Sequence, residues 1–291
     1  IYDIVSEKYK DIVKDAMKRR LKGEFFNSSY QEIEMTTKDQ RKIIIYAFSS
    51  TITFRGKPSG MVTFVDITRQ KRFETMYAIL REINQAITLS SIEEEMLIRI
   101  AKALVDKFNL KLVWIGHPDA NSDYFKMDYK FGEAVGYLDK AKISYKEELE
   151  EGRGPAGISY REDRIVILSN IEEPHFKPWK NLAKEYGFKT SATIPIKVDG
   201  EPKYVMGMYS EEPYFFDEDI LDVLNEIKSD IEFGIERINK NRESIIIKKI
   251  VDSSPSWVLM TDDKFKIVYV NDAVPLISLY EKEELIGKHP R

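Results

Sequence analysis

Gly152-Arg153-Gly154-Pro155-Ala156-Gly157 runs through Ile158-Ser159-Tyr160-Arg161-Glu162 into Arg164-Ile165-Val166-Ile167-Leu168. The first six residues match the spacing G-x-G-x-x-G. That spacing binds dinucleotides only when a strand precedes it and a helix follows, so that pyrophosphate meets a helix N-terminus. Here the charged segment 140–151 precedes the glycines and the β-branched run 164–168 follows within a few residues. The sequence predicts a tight loop feeding a strand, not a phosphate cradle.

Working outward, residues 110–115 form a short apolar strand stopped by Gly116-His117-Pro118, and 124–129 form a strand able to pair with it. Residues 140–151 read as loosely helical, and 178–186 as a short helix ended by Gly187. Residues 190–198 and 203–209 flank Asp199-Gly200, a hairpin signal. Two long helices bracket this region. The first begins near Arg69 and carries Phe73, Tyr77, Leu80, Asn84 and Ile87 at heptad spacing. Ser90-Ser91-Ile92-Glu93 reads as a capping box opening a helix to Phe108. The second long helix opens at Asp217, a predicted N-cap, and carries Ile220, Leu224, Ile227, Ile231, Gly234 and Ile238. Asn239-Lys240-Asn241-Arg242 reads as a polar break before helix resumes over 245–251. At the N-terminus, a helix with Ile4, Val5, Ile12, Val13, Met17 and Leu21 as its stripe precedes three antiparallel strands near 30–35, 42–49 and 60–67. Their turns fall at Asp39-Gln40 and Gly56-Lys57-Pro58. At the other end, 257–260 and 266–270 alternate as a hairpin.

Composition removes many functions. Lys+Arg 45 against Asp+Glu 49 gives a formal charge of −4, without the basic excess that nucleic-acid binding demands. The absence of cysteine excludes disulfides, zinc ribbons, thiol nucleophiles and thioether-linked cofactors. No apolar run approaches the ~20 residues of a membrane span. The histidines His117, His175 and His289 are isolated, with no carboxylate or second histidine at helical spacing, so a zinc hydrolase is unsupported and no metal site is expected. No G-x-S-x-G elbow, P-loop or kinase signature occurs. Catalytic residues are therefore not expected within this chain, which begins at Ile1 rather than Met and is expected to be a piece of a longer protein.

The motifs around the opening stretch, with Asn170-Ile171, Pro178-Trp179, Tyr186-Gly187-Phe188-Lys189-Thr190-Ser191, Ile194-Pro195-Ile196 and Phe216-Asp217-Glu218, resemble a bacterial GAF domain spanning 75–238. Arg19-Arg20-Leu21-Lys22-Gly23-Glu24, Lys38-Asp39-Gln40-Arg41 and Asp66-Ile67-Thr68-Arg69-Gln70-Lys71 are similar to the C-terminal half of a PAS domain, placed at 1–70. Ile250-Val251-Asp252-Ser253-Ser254-Pro255, Ile267-Val268-Tyr269-Val270-Asn271 and Glu283-Glu284-Leu285-Ile286-Gly287-Lys288 resemble the N-terminal half of a second, placed at 250–291. A linking helix at 71–88 and a helical linker at 239–249 join them. The resemblance implies an α+β fold: a GAF domain with an antiparallel sheet of about six strands and flanking helices, between partial PAS-like modules. The two partial modules are expected to stand apart. Pairing of the strand at 60–67 with the strand at 257–261 is the alternative.

The resemblance implies a cytoplasmic sensory and relay region of a multidomain bacterial signal transducer, with an output domain elsewhere in the full-length chain. It also admits the regulatory part of a diguanylate cyclase, a cyclic-di-GMP phosphodiesterase or a histidine kinase, or a ligand-free dimerisation scaffold. A homodimer through helices 73–87 and 220–238 is expected, and neither nucleic acid nor membrane is an expected partner of this segment. A covalent bilin and a flavin–cysteinyl adduct, like GAF-type methionine sulfoxide reduction, need cysteine and are excluded. The implied pocket is walled by Tyr129, Phe131, Arg153, Trp179, Lys189 and Tyr209, with the cations favouring an anionic or carbonyl-bearing ligand. The residues leave open whether a small molecule or the protein's own side chains fill it, and no cofactor is named.

Overall fold

The computed structural model describes residues 7–38 and 42–290. Ile4, Val5 and the Asp39-Gln40 turn lie outside them. The chain is an α+β protein with three separate sheets. Helix α1 (Glu7–Leu21) precedes the meander β1 (Asn27–Thr36), β2 (Lys42–Phe54) and β3 (Lys57–Asp66). Helices α2 (Thr68–Leu89) and α3 (Glu93–Phe108) lead into β4 (Leu112–Pro118) and β5 (Phe125–Phe131). After α4 (Tyr137–Lys140) come α5 (Pro155–Glu162), β6 (Val166–Leu168), α6 (Lys180–Glu185), β7 (Thr190–Val198) and β8 (Glu201–Ser210). Helix α7 (Glu218–Asp252) then reaches the hairpin β9 (Leu259–Thr261) and β10 (Ile267–Val270), followed by α8 (Ala273–Ser278) and α9 (Lys282–Leu285). The central sheet has five strands in the order β5-β4-β8-β7-β6, all antiparallel, rather than about six.

Both faces of this sheet are apolar, so both must be covered. On one face Val113, Ile115, Ile194, Ile196, Met206 and Met208 meet α2, α3 and α7. Those helices supply fully buried Ile79, Ile83, Leu97, Leu104, Ile227 and Ile231. Each such side chain stabilises the fold by about 1.5–3 kcal/mol relative to exposure. The heptad seam read on α7 is thus intramolecular: Ile220, Leu224, Ile227, Ile231, Gly234 and Ile238 are all buried in this core. On α2 the buried stripe is Met76, Ile79, Ile83, Ala86 and Ile87, whereas Phe73, Tyr77 and Asn84 of the predicted seam are exposed. That helix is apolar on two stripes, and periodicity alone cannot say which one packs.

Four local expectations are corrected. A helix, α5, does follow the glycine loop, with Pro155 at its first turn, where the missing N–H costs nothing. Only Lys140 of the segment 140–151 belongs to a helix, the end of α4; the rest is irregular chain with turns and a single bridge to Tyr124, ending in a 3-10 turn at Glu150–Gly152. Ser90 caps the end of α2, and α3 begins without a side-chain cap. Finally, Asn239-Lys240-Asn241-Arg242 does not break α7, which runs unbroken for 35 residues. Those four residues lack Gly and Pro, so they signal the end of packing and not the end of helix.

Two contacts fix α7 against α2. At their starts, Arg72 Nη1 reaches Asp217 Oδ2 at 2.5 Å, while Asp217 Oδ1 caps α7 by accepting the Ile220 N–H at 3.1 Å. At the far end, Arg237 donates to the carbonyls of Ile87 at 2.5 Å and Ser90 at 2.8 Å, closing the C-terminus of α2. The two helices therefore run parallel. The terminal sheets stay apart: β3 is an edge strand with Met61, Val62, Phe64 and Val65 exposed, and β9 pairs only with β10. Truncating Ile227→Ala in the helix-side core should cost about 2–5 kcal/mol by urea denaturation, whereas Ile247→Ala on the exposed end of α7 should change the stability of the monomer by far less.

Candidate functional site

The opposite face of the central sheet builds an aromatic chamber. Strand alternation puts Leu112 and Trp114 of β4, and Val205 and Tyr209 of β8, on this face. Tyr137, Phe176, Trp179 and Phe188 close over them from the segments between strands. Tyr209 stacks on Phe188 at 4.6 Å and lies 5.4 Å from the ring of Tyr137. Gly207 sits opposite Trp114, and a Cβ there would fall 2.2 Å from the indole Nε1, so only glycine admits the buried ring. Trp179 is pinned by donating its Nε1–H to the Lys142 carbonyl at 2.8 Å.

Within this apolar shell lie polar atoms with little to bind. Trp114 Nε1, Tyr137 Oη and Ser191 Oγ are buried without a hydrogen-bond partner of good geometry. Burial holds the Tyr137 hydroxyl well above its ordinary range. It pushes Tyr209 up to about 12, against the opposing effect of neighbouring Trp114 and Tyr137. These hydroxyls are neutral donors and acceptors, not bases.

Of the six residues expected to wall one pocket, the structure brings together two. Trp179 and Tyr209 share the chamber, each beside Phe176. Tyr129 and Phe131 pack instead on the helix side of the sheet. The cause is a bulge: Ile115 pairs with Tyr129, but Gly116 pairs with Met127, so Asp128 is the extra residue and the face reverses there. Phe125 and Met127 face the chamber while Tyr129 and Phe131 do not, although successive members of this series are two residues apart. Arg153 is exposed and donates to the Glu147 carbonyl at 3.0 Å. Lys189 is exposed at the rim of a separate cleft. Trp114, Tyr137, Phe176 and Phe188 are chamber residues that sequence reasoning misses. The pairing of Trp114 with Gly207 is the one signal for them, and it needs the strand register to be seen.

The glycine loop is not a phosphate site. Gly152, Gly154 and Gly157 are all buried, and a Cβ on Gly154 would meet the Trp179 ring at 2.4 Å. Their smallness lets the 3-10 turn, α5 and the Trp179 segment touch. His117 is not alone: its Nδ1 lies 2.5 Å from Asp128 Oδ2 on the neighbouring strand, a partner that helical spacing does not reveal. His175 is exposed. Among the described residues no group of three or more His, Asp or Glu is placed to hold a metal ion.

The GAF domain family model matches residues 91–236, half of the chain. The chain belongs to the GAF domain family. A PAS domain model matches residues 255–291, which covers the β9–β10 hairpin and the helices after it. No curated protein matches. Among solved structures, the GAF domain is similar to free methionine-R-sulfoxide reductase from Neisseria meningitidis in complex with its substrate, at 19% identity and TM-score 0.46, covering 57% of this chain and 91% of that one. It is similar also to the GAF domain of a phosphoenolpyruvate-protein phosphotransferase from Coxiella burnetii, at 18% identity and TM-score 0.45, covering 59% and 98%. A third similar structure is residues 122 to 287 of a methyl-accepting chemotaxis protein, at 18% identity and TM-score 0.43, covering 55% and 98%. The chain thus carries a GAF and a PAS domain, regulatory and sensory in kind. Among its described residues no helix is long and apolar enough to cross a membrane.

The chamber tyrosines set a pH dependence. Their hydroxyls stay protonated in the folded chain, while in the unfolded chain they ionise near pH 10. The unfolded state then binds fewer protons, so the stability that Tyr209 contributes is complete below about pH 10 and is lost as pH rises through about 12. Urea midpoints measured across that interval should fall steadily, and the fall should be shallower in Tyr209→Phe.

Proposed function

We propose that this chain is the sensory and relay region of a multidomain signal transducer, in which the GAF domain biases the packing of α2 and α7 and α7 carries the change to the C-terminal PAS domain. One observation carries this reading. Helix α7 is a continuous rod whose first half is GAF core and whose end is tied into the PAS hairpin. Asn271, fully buried, donates from Nδ2 to the Val251 carbonyl at 3.0 Å, and the Tyr269 hydroxyl donates to Asp252 Oδ1 at 2.6 Å. A displacement at Ile220–Ile238 cannot be absorbed between the domains without bending helix. The meander β1–β2–β3 is read as the end of a preceding PAS domain, from the Asp66-Ile67-Thr68 junction: Asp66 Oδ1 accepts the Thr68 N–H at 2.9 Å where the sheet passes into α2.

On this reading catalysis belongs to an output domain outside these residues, with a diguanylate cyclase, a cyclic-di-GMP phosphodiesterase or a histidine kinase as its candidate classes. The chamber is the sensing element, closed by its own side chains in this conformation. A ligand acts only through its differential affinity for closed and opened states. The ligand-free scaffold is the second reading, favoured by how completely Trp179, Phe188 and Tyr209 fill that face. The cysteine-free chain permits clean labelling. Spin labels at Glu226→Cys and Lys264→Cys should give one narrow distance distribution, broadened by Asn241→Gly with Arg242→Gly. A distribution already broad without the glycines would remove the rigid relay.

The homodimer is retained on revised surfaces. The α7 seam is buried, so contacts fall to the outward residues Phe73, Tyr77 and Phe233 and to Ile245, Ile246, Ile247 and Ile250, all exposed. From Lys240 to Ile250 every residue of α7 is exposed, and an isolated helix of that length is marginal in water. Light scattering at high micromolar concentration should give twice the monomer mass, reduced by Ile247→Lys combined with Tyr77→Asp. A strict monomer would leave only the intramolecular relay.

A further inference from the structure

Outside the closed chamber, on the far side of Phe188, lies an open cleft of about 380 Å³, within the size range of small-molecule sites. Its walls are Ile171, Phe188, Pro213 and Tyr214, and its charges are Lys184, Lys189 and Glu172. The two lysines differ. Lys184 is engaged by Glu172 at 2.7 Å, and Glu172 is shared with Lys180, so this carboxylate is held below its ordinary range by the two ammonium groups. The Lys189 ammonium makes no hydrogen bond or ion pair among the described residues. Its charge also bears on Glu211, which is already bound to Lys111 at 2.9 Å. Asn170 accepts the Glu172 N–H on its Oδ1 at 2.9 Å, leaving the amide NH2 as a donor at the same rim.

Tyr214 supports the same location. Its φ of 58° is uncommon for a bulky residue, and its ring is 65% exposed where it lines the cleft. Left-handed backbone at a large side chain costs free energy and persists where the surroundings dictate it. Phe188, opposite, is buried, and its ring stacks on Tyr209 at 4.6 Å.

We propose that this cleft binds an amphipathic monocarboxylate, its carboxylate on Lys189 and the Asn170 amide and its flat apolar body against Tyr214 and Pro213. Lys189 is the one ammonium of the lining without an ion pair among the described residues, and the lining holds no arginine fork of the kind that favours phosphate. The apolar walls specify the body. Binding is independent of the sensory reading, which supplies only its consequence, a push on Phe188 and so on Tyr209 in the chamber.

The test titrates the full chain with phenylacetate and follows backbone amide shifts by NMR. Saturable shifts are expected at Ile171, Gly187, Phe188, Lys189 and Tyr214. Phenylacetamide, which lacks the charge, should bind about tenfold more weakly, and Lys189→Gln should weaken phenylacetate by about the same factor. Lys189 is exposed, so that variant should fold normally, and its unchanged spectrum away from the cleft checks this. Equal binding of phenylacetamide, an unaltered affinity in Lys189→Gln, or stronger saturable shifts with inorganic phosphate would each overturn the proposal. Phenylacetate binding at these residues with no accompanying shift at Met208 or along α2 and α7 would uphold the site and count against the sensory relay.

Discussion

The guanidinium of Arg237 does the work of a helix cap from another helix. The last carbonyls of α2 have no intrahelical donor, and Arg237 on α7 supplies one to Ile87 and to Ser90. With the Arg72–Asp217 pair at the other end, α7 is held in register along the length of α2. Everything downstream inherits that register, because the PAS hairpin is hydrogen-bonded to the last residues of the same helix. Breaking either clamp would leave the apolar contacts intact but would free the sliding coordinate that they constrain weakly. Ridges of isoleucine resist separation far more than they resist a shift along the axis.

Much of this architecture is legible in the amino-acid sequence. The apolar stripe of α7, its Asp217 cap, the β7–β8 hairpin and the pairing of β4 with β5 all follow from periodicity and turn chemistry. The features that escape are those in which one pattern serves two structures. Helix α2 carries two apolar stripes, Phe73-Tyr77-Leu80 and Met76-Ile79-Ile83, and the heptad spacing selects the more exposed one. The run Asn239–Arg242 is polar because little packs on it, and a helix continues through such residues at a far smaller cost than through Pro. Helix α5 is short and starts among glycines, so its strongest signal, Pro155, looks like part of a loop.

The site is less legible than the fold, and for a specific reason. Period-2 alternation assigns side chains to faces only while the register holds, and one extra residue at Asp128 reverses the assignment for Tyr129 and Phe131. Of the aromatic residues expected to wall a pocket, Trp179 and Tyr209 lie in the chamber and Tyr129 and Phe131 do not. Trp114 is admitted by a glycine on the neighbouring strand, and His117 finds Asp128 across a strand pair. Contacts of this kind lie between segments distant in sequence, where no local spacing records them.

On the proposed relay, the two faces of the sheet play different parts. The helix-side core is mainly aliphatic and interlocked, with Tyr129 and Tyr204 packed against its margin. The chamber face holds stacked rings around Trp114 Nε1, Tyr137 Oη and Ser191 Oγ, polar atoms whose needs are poorly met there. Buried groups left in that condition favour any rearrangement that supplies a partner. On the proposed relay the chamber is the sensing face and the helix side is the transmitting one. Strand β8 belongs to both: Tyr209 points into the chamber, while the adjacent Met208 points into the helices. Because successive side chains project from one stiff backbone to opposite faces, a tilt of the strand that relieves Tyr209 must move Met208 against the helix-side core. The coupling between sensing face and helices then requires no hinge, only a sheet packed on both sides.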